Sequence, residues 1–141
     1  MVKKVDKGIN ASNANWKFSG KVAKKFDNHI IRSVPFYLEG HDLICKISDF
    51  FLKDNSLCCE IGSSTGTLTS KLFKHNREKK IKFIGIEIEK DMVLESKKRL
   101  NKKIKIINKD FLNIKFNQKF DLMLSYYTAQ FIKPKNRQVF F

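Results

Sequence analysis

The chain has 141 residues, of which 42% are apolar and 30% charged, and its formal net charge is +15. This length is enough for one domain with a buried core, and the apolar content excludes a chain that stays disordered. No stretch approaches the roughly 18 to 20 apolar residues of a membrane span, so we expect no membrane partner. The first eight residues show no apolar signal segment, and the three cysteines are an odd count, which favours a cytoplasmic protein.

The positive charge has two interpretations. Direct contact with RNA is one of them, since basic proteins are attracted to phosphate. The excess, however, comes from 25 lysines against 4 arginines spread along the chain, alongside 11 asparagines. A dedicated phosphate surface more often uses arginine for its bidentate hydrogen bonds. A compositional bias toward lysine and asparagine is therefore favoured over direct RNA binding.

The first third of the chain predicts a leader and a helical cap. Residues 1–15 are polar and are expected to form a mobile leader, so the folded domain should comprise residues 16–141. Residues 20–53 are predicted to be helices that cover a ligand site and are interrupted at Pro35. The helix from Leu38 to Lys53 is expected to pack on a sheet through Leu38, Ile44, Ile47, Phe50 and Phe51.

The most informative segment is Leu57–Gly66, where an apolar run ends in Glu60 and a loop of small residues follows. Apolar residues at helical spacing come next, so the segment predicts a strand, a glycine loop and a helix, the first unit of a nucleotide-binding α/β sheet. Dinucleotide sites have the spacing G-x-G-x-x-G, but here an acid precedes the loop, as Glu60-x-Gly62-x-x-x-Gly66. An acid at that point is badly placed for a pyrophosphate and well placed for an ammonium group. The pattern therefore predicts a ligand with an amino-acid end and a ribose end. S-adenosylmethionine is such a ligand.

The next run, Ile81–Glu87, predicts a second strand that also ends in an acid. Glu87 lies 21 residues after Gly66, where an α/β nucleotide fold places the carboxylate that accepts the ribose hydroxyls. A helix from Asp91 to Leu100 should follow, with Asp91 as its cap and basic residues in its last turn.

Two more strands are predicted, Ile104–Phe111 and Phe120–Tyr127. At the end of the first, Asp110 could bond the adenine amino group while Phe111 packs on the ring. The end of the second should face the sulfonium. Each acid closes a strand at its carboxyl end, the edge where open α/β sheets bind ligands.

Other interpretations of these residues remain open. Glu60 could be a solvent-exposed acid, Asp110 could cap the next turn, and Tyr126 and Tyr127 could either line a pocket or fill the core. An NAD-binding domain is the rival enzyme class. The three histidines show no metal-ligand spacing with the cysteines, so no metal site is assigned. No catalytic residue is assigned either, because an activated sulfonium needs positioning more than acid–base catalysis.

With these motifs in this order, the sequence resembles a class I S-adenosylmethionine-dependent methyltransferase. One subfamily is most similar, the carboxy-S-adenosylmethionine synthases. The resemblance depends on Phe18–Asp27, on Ile31–Tyr37, on the loop form Glu-x-Gly-x-Ser-x-Gly with its central Ser64, and on Thr128–Pro134. It covers residues 16–141. Tyr126 departs from the pattern, since those enzymes have an asparagine there.

The resemblance implies a Rossmann-like α/β fold and S-adenosylmethionine or carboxy-S-adenosylmethionine as the cofactor. It further implies prephenate as the carboxyl donor, and a product used to modify the wobble uridine of tRNA. The complete set of expected cofactor contacts, from the residues and the resemblance together, is Tyr37, Glu60, Gly62, Ser63, Ser64, Gly66, Glu87, Ile88, Asp110, Phe111 and Tyr126.

Methyltransferases of this class have about seven strands, whereas four are predicted here. We therefore expect the amino-terminal part of such a fold, with parallel strands one to four, flanking helices and a preceding helical cap. The fourth strand should leave an unpaired edge that a second copy or a separate completing chain would cover. The alternative function is a cofactor-binding remnant or subunit that has no catalysis of its own.

Overall fold

The computed structural model describes residues 11–12, 15–16 and 21–140. The strands are β1 (Ala11–Ser12), β2 (Asn15–Trp16), β3 (Leu57–Ile61), β4 (Lys82–Glu87), β5 (Lys105–Asn108) and β6 (Leu122–Leu124). The helices are α1 (Lys21–Ser33), α2 (Tyr37–Ser48), α3 (Thr67–His75), α4 (Lys90–Arg99) and α5 (Arg137–Phe140). The predicted leader, residues 1–15, lies mostly outside the described residues. Its strand β1 pairs in antiparallel fashion with β2, which spans the predicted boundary between leader and domain.

Strands β3 to β6 form one parallel sheet in the order β5-β4-β3-β6. Strands β3 and β4 lie in the centre and are buried along almost their whole length, as expected for apolar strands covered on both faces. The chain runs outward from β3 to β5 and then returns to the other side of β3. This reversal of strand order places a ligand crevice at the carboxyl ends of β3 and β6. The predicted α/β fold with four parallel strands is confirmed.

The two faces of the sheet are covered differently. Helices α2 and α3 cover one face, and its core contains Cys45, Leu52, Cys58, Leu68, Leu72, Phe83 and Ile104. On the other face, Cys59, Ile61, Ile84 and Ile86 are covered by aromatic and aliphatic side chains of residues 111–120 and by Phe140. All three cysteines are free and buried, so Cys58 and Cys59 serve as small core residues, as predicted.

The helical cap exists and is interrupted at Pro35, and the predicted packing face of its second helix is confirmed only in part. Ile44 packs against the core of the sheet, as predicted. Ile47 and Phe51 are exposed, and Phe50 has 82% of its surface in solvent. The buried side chains of α2 are His41, Cys45 and Ser48, and the helix ends before Phe50. Hydropathy misses this face because two of its members are polar. Ser48 is accommodated by donating to the Cys45 carbonyl at 2.6 Å and accepting from Asn76.

Three predicted boundaries also change. Helix α4 begins one residue before Asp91, and Glu89 occupies the cap position, so Asp91 lies in the first turn. Strands β5 and β6 are shorter than predicted because the chain turns toward the crevice after Asn108 and after Leu124. Tyr127, for example, adopts a positive φ of 52°. In the described part of the chain, no helix has the length and hydropathy needed to cross a bilayer.

Candidate functional site

A cavity of about 690 Å³ lies at the carboxyl edge of the sheet. This volume is within the range of small-molecule sites. Side chains at the ends of all four parallel strands contribute to its wall, and α1 forms another side. Ten of the eleven predicted cofactor residues line it: Tyr37, Glu60, Gly62, Ser63, Ser64, Glu87, Ile88, Asp110, Phe111 and Tyr126.

Gly66 is the predicted residue that does not line the cavity. It adopts a φ of 79° at the start of α3, and a Cβ there would lie 2.9 Å from the Leu100 side chain. Its lack of a side chain is therefore explained by the turn and by close packing against Leu100. Its contact with a cofactor stays a prediction.

The rest of the glycine loop contains two residues with positive φ and is held by backbone hydrogen bonds. Gly62 and Ser64 both have positive φ, at 71° and 51°. The amides of Gly62 and Ser63 donate to the Ile86 carbonyl at 2.8 and 3.0 Å. A Cβ on Gly62 would collide with the Thr128 side chain. Both this close contact and the positive φ therefore require glycine at position 62.

Glu87 fastens this loop to the neighbouring turn. One carboxylate oxygen accepts from the Ser64 amide at 2.8 Å and the other from the Glu89 amide, also at 2.8 Å. Burial raises the pKa of the Glu87 carboxyl, while these amide bonds act in the opposite direction. Each carboxylate oxygen has a second lone pair, so Glu87 can still accept from a ligand. Binding of ribose by Glu87 stays a prediction.

Glu60 is 5% exposed and accepts a hydrogen bond from the Thr69 hydroxyl on α3. It is therefore not the solvent-exposed acid that remained an alternative. Burial raises the pKa of the Glu60 carboxyl from 4.5 to about 8, against the opposing effect of the Thr69 bond. Such a carboxyl is largely protonated at pH 7, and an ammonium group beside it would favour the ionised form.

Asp110 caps the turn that follows it, which is the alternative left open above. Its Oδ1 accepts from the Leu112 amide at 3.0 Å, and a short helical turn starts there. Phe111 packs with Phe116 and Phe140, with ring centroids 5.8 and 5.5 Å away. Both residues line the cavity, and their contacts with adenine stay predictions.

Three tyrosines gather where β6 meets α2. The centroid of the Tyr126 ring lies 5.6 Å from that of Tyr37 and 4.7 Å from that of Tyr127, and all three line the cavity. The Tyr126 hydroxyl donates to the Tyr37 carbonyl at 3.2 Å and occupies a notch that exists because residue 40 is glycine. Burial raises the pKa of Tyr37, so its hydroxyl keeps its proton.

His41 lies behind these rings, fully buried, with its ring centroid 4.5 Å from that of Tyr37. Burial lowers its pKa to about 4, so the imidazole is neutral at pH 7. Neither ring nitrogen has a hydrogen-bond partner among the described residues. Over the same residues, no group of three or more histidine, cysteine, aspartate or glutamate side chains could hold a metal ion.

Sequence reasoning missed several residues of the site. Thr128 lies in a segment that carries the resemblance but was not predicted as a site residue; its side chain packs against Gly62, and its hydroxyl donates to the Ile61 carbonyl at 3.2 Å. Gly40 accommodates the Tyr126 hydroxyl, and no local motif marks it. Met92 of α4 also lines the cavity, whereas the sequence placed it only within a predicted helix. Asp27 contacts the residues next to the glycine loop from a helix 38 positions earlier in the chain, a pairing that spacing does not reveal.

Comparison with known proteins agrees with this geometry. The model of the methyltransferase domain family matches residues 58–141, which is more than half of the chain. The chain therefore belongs to the methyltransferase domain family, and the class predicted from the sequence is confirmed.

The chain is also similar to curated proteins of one named subfamily. The chain is 34% identical over 126 residues to the carboxy-S-adenosyl-L-methionine synthase of Nautilia profundicola, an alignment that covers 87% of this chain and 53% of that protein. It is 33% identical over 138 residues to the synthase of Staphylococcus epidermidis, covering 92% of this chain and 57% of that protein. The chain thus spans about half the length of the curated relatives it matches.

Solved structures support the fold. A Methanococcus maripaludis protein assigned to the S-adenosyl-L-methionine-dependent methyltransferases superposes with a TM-score of 0.69 at 24% identity, covering 93% of this chain and 60% of that one. A methyltransferase from Clostridium acetobutylicum gives a TM-score of 0.55 at 22% identity, covering 72% and 42%.

The buried Glu60 carboxyl predicts a pH-dependent stability. Its pKa is higher in the folded chain than in the unfolded one, so the folded state retains a proton that the unfolded state releases between pH 4.5 and about 8. The free energy of unfolding should therefore fall across this window, by at most about 1.4 kcal/mol per pH unit, and level off above it. Urea unfolding of the wild type and of Glu60→Gln, measured from pH 4.5 to 9, checks this.

The Gln variant should lose this slope, since it has no proton to release. Glu78→Gln is the control, because Glu78 lies on the surface and its side chain is 86% exposed. Parallel curves for the wild type and Glu60→Gln would contradict the prediction.

Proposed function

We propose that this chain binds S-adenosylmethionine in the cavity at the carboxyl edge of its sheet, as the cofactor-binding portion of a transferase. The observation that carries the proposal is the pair of buried acids, Glu60 and Glu87, on either side of one glycine loop. In the proposed complex, Glu60 receives the ammonium group of the methionine end. Glu87 accepts the ribose hydroxyls, while Asp110 and Phe111 contact the adenine.

Ser63 lines the cavity, but its hydroxyl is buried against Gly85 of β4 and has no hydrogen-bond partner among the described residues. A ligand could reach this oxygen only if the side chain rotated, so the proposal does not depend on it. The buried acid before the loop is the feature that favours an amino-acid-bearing nucleotide over NAD.

The bound cofactor would supply an already activated carbon on its sulfonium. The chain's own residues then have to bind, orient and exclude water rather than move protons. The rings of Tyr37, Tyr126 and Tyr127 form an electron-rich wall at the end of β6, which is suited to a cationic sulfonium. No general base is required by this arrangement.

Titration calorimetry tests the proposal directly. Folded wild-type protein should release or absorb heat with S-adenosylmethionine and S-adenosylhomocysteine, and NAD should give none. Glu87→Gln should weaken binding about tenfold or more, because one charge-assisted acceptor for the ribose is lost. The surface variant Glu78→Gln should bind as the wild type does. Absence of heat with both methionine compounds, from protein with an intact circular dichroism spectrum, would refute cofactor binding.

The synthase reaction is the more specific candidate, and the names of the 33–34% identical relatives support it. Tyr126 and the charges argue against it. A carboxylated cofactor and a dicarboxylate donor require cations, and within the described residues the lysines that line the cavity are Lys109 and Lys133. A role in tRNA wobble-uridine modification and a cytoplasmic location belong to this candidate.

Mass spectrometry of small molecules that co-purify with the protein separates the two. Carboxy-S-adenosylmethionine in the extract would support the synthase branch. Finding the unmodified cofactor or its demethylated product alone would favour an ordinary methyltransferase. Tyr126→Asn is the matched variant, and on the synthase hypothesis it should increase the carboxylated fraction.

We further propose that another strand covers β6, supplied by a longer form of the protein, by a second copy or by a separate chain. Among the described residues, strand β6 pairs only with β3, and Met123 in its centre is 43% exposed. An apolar, unpaired strand edge recruits a partner. If the partner is essential, this chain alone is a cofactor-binding subunit without independent catalysis.

Size-exclusion chromatography with light scattering checks this. The wild-type chain should self-associate, and Met123→Lys should reduce the association by placing a charge on the edge strand. Leu94→Lys is the control, since Leu94 is 49% exposed on α4, away from the strand edge. A monomeric and fully active wild-type chain would show the proposal to be wrong.

A further inference from the structure

Four side chains from separate parts of the chain meet beside the glycine loop. Asp27 on α1 accepts hydrogen bonds through Oδ1 from the Thr65 hydroxyl at 2.6 Å and from the Thr67 hydroxyl at 3.1 Å. Its Oδ2 lies 2.6 Å from Nη1 of Arg99, at the end of α4. Arg99 closes the group by donating to the Thr67 hydroxyl at 2.7 Å.

These bonds differ from ordinary surface ion pairs. Thr65 is fully buried, and the Asp27 side chain is only 24% exposed, so water competes little for its carboxylate. Both carboxylate oxygens are used, and the donors are held by the glycine loop and by a helix end. A partly buried, charge-assisted group of this kind is stronger than an exposed pair and gives more directional restraint.

Helix α1 has both apolar and polar contacts with its neighbours. Among the described residues, Ala23, Phe26 and Ile30 pack around Met92 of α4. Phe26, His29, Ile30 and Ser33 also line the cavity, together with Val34 directly after the helix. A displacement of α1 would open that wall, and it would have to break the bonds of Asp27.

From this geometry we infer that Asp27 is a positioning residue that locks α1 over the cavity and so sets how fast a bound ligand leaves. The inference rests on the proposed cofactor binding. Asp27 acts through its contacts with Thr65, Thr67 and Arg99 and does not itself line the cavity. It also anchors the loop on its α3 side, while Glu87 anchors Ser64 on the other.

The test measures ligand release and helix opening in the same variants. Asp27→Asn should release S-adenosylhomocysteine about tenfold faster in surface plasmon resonance, with the association rate changed little. Hydrogen exchange of the α1 amides, in free protein, should accelerate, while the amides of α2 and β3 keep their protection. Arg99→Gln should act in the same direction, and the double variant should add less than the product of the two single effects.

Asp42→Asn is the matched control. Asp42 on α2 makes a more exposed ion pair with Lys71 of α3, at 2.9 Å, and the printed contacts of this pair do not involve the glycine loop. Its loss should change neither the release rate nor α1 exchange. Unchanged release and α1 protection in Asp27→Asn would overturn the inference, and so would faster exchange throughout the protein, which would mean a general loss of stability.

The outcome is separable from that of the proposed function. If the wild type binds S-adenosylhomocysteine and Asp27→Asn releases it at the same rate, the positioning role of Asp27 is refuted and cofactor binding stands. If the wild type does not bind, cofactor binding fails and control of release fails with it. The exchange data from free protein still decide whether Asp27 holds α1.

Discussion

The Glu87 carboxylate is the group on which the geometry of the site depends. It accepts one backbone amide from the glycine loop after β3 and one from the turn after β4, so a single side chain fixes two neighbouring turns. Ser64 has a positive φ of 51°, and the hydrogen bond from its amide to Glu87 supports this conformation. Contacts within the chain therefore hold the loop, and such preorganisation lowers the entropic cost of ordering a site.

This preorganisation is a burden on stability. Two acids are buried at adjacent strand ends, and the loop between them contains an unpartnered hydroxyl and three residues with positive φ. The buried acids, the unpartnered hydroxyl and the positive φ of Ser64 each destabilise the folded chain, whereas the two glycines adopt positive φ without strain. The buried core of the sheet stabilises the fold against these costs. Strands β3 and β4 are buried on both faces, and α2 and α3 cover one of them. The stability of the sheet thus offsets the destabilising features of the site.

The sequence was sufficient for those parts of the fold that depend on local pattern. The strand–loop–helix unit around Gly62 and the acid-terminated strands followed from apolar runs and spacing, and the parallel sheet confirms them. The packing face of α2 followed only in part. Ile44 packs on the core as predicted, but His41 and Ser48 are buried polar residues that a hydropathy pattern assigns to solvent. The contacts of Asp27 were also out of reach. They join residues 38 and 40 positions apart, and only the folded chain brings them together.

Close packing at Gly40 couples substitutions at this position to substitutions at Tyr126. The Tyr126 hydroxyl fills the space that a side chain at residue 40 would take, so neither position can change freely while the other stays the same. Replacing Tyr126 by a small polar residue leaves a void against α2, and enlarging residue 40 expels the tyrosine. A lineage that exchanges the aromatic wall for an asparagine must therefore pass through a destabilised intermediate or alter both sites together. The side chains that this end of the cavity can present are thus constrained by a glycine on α2.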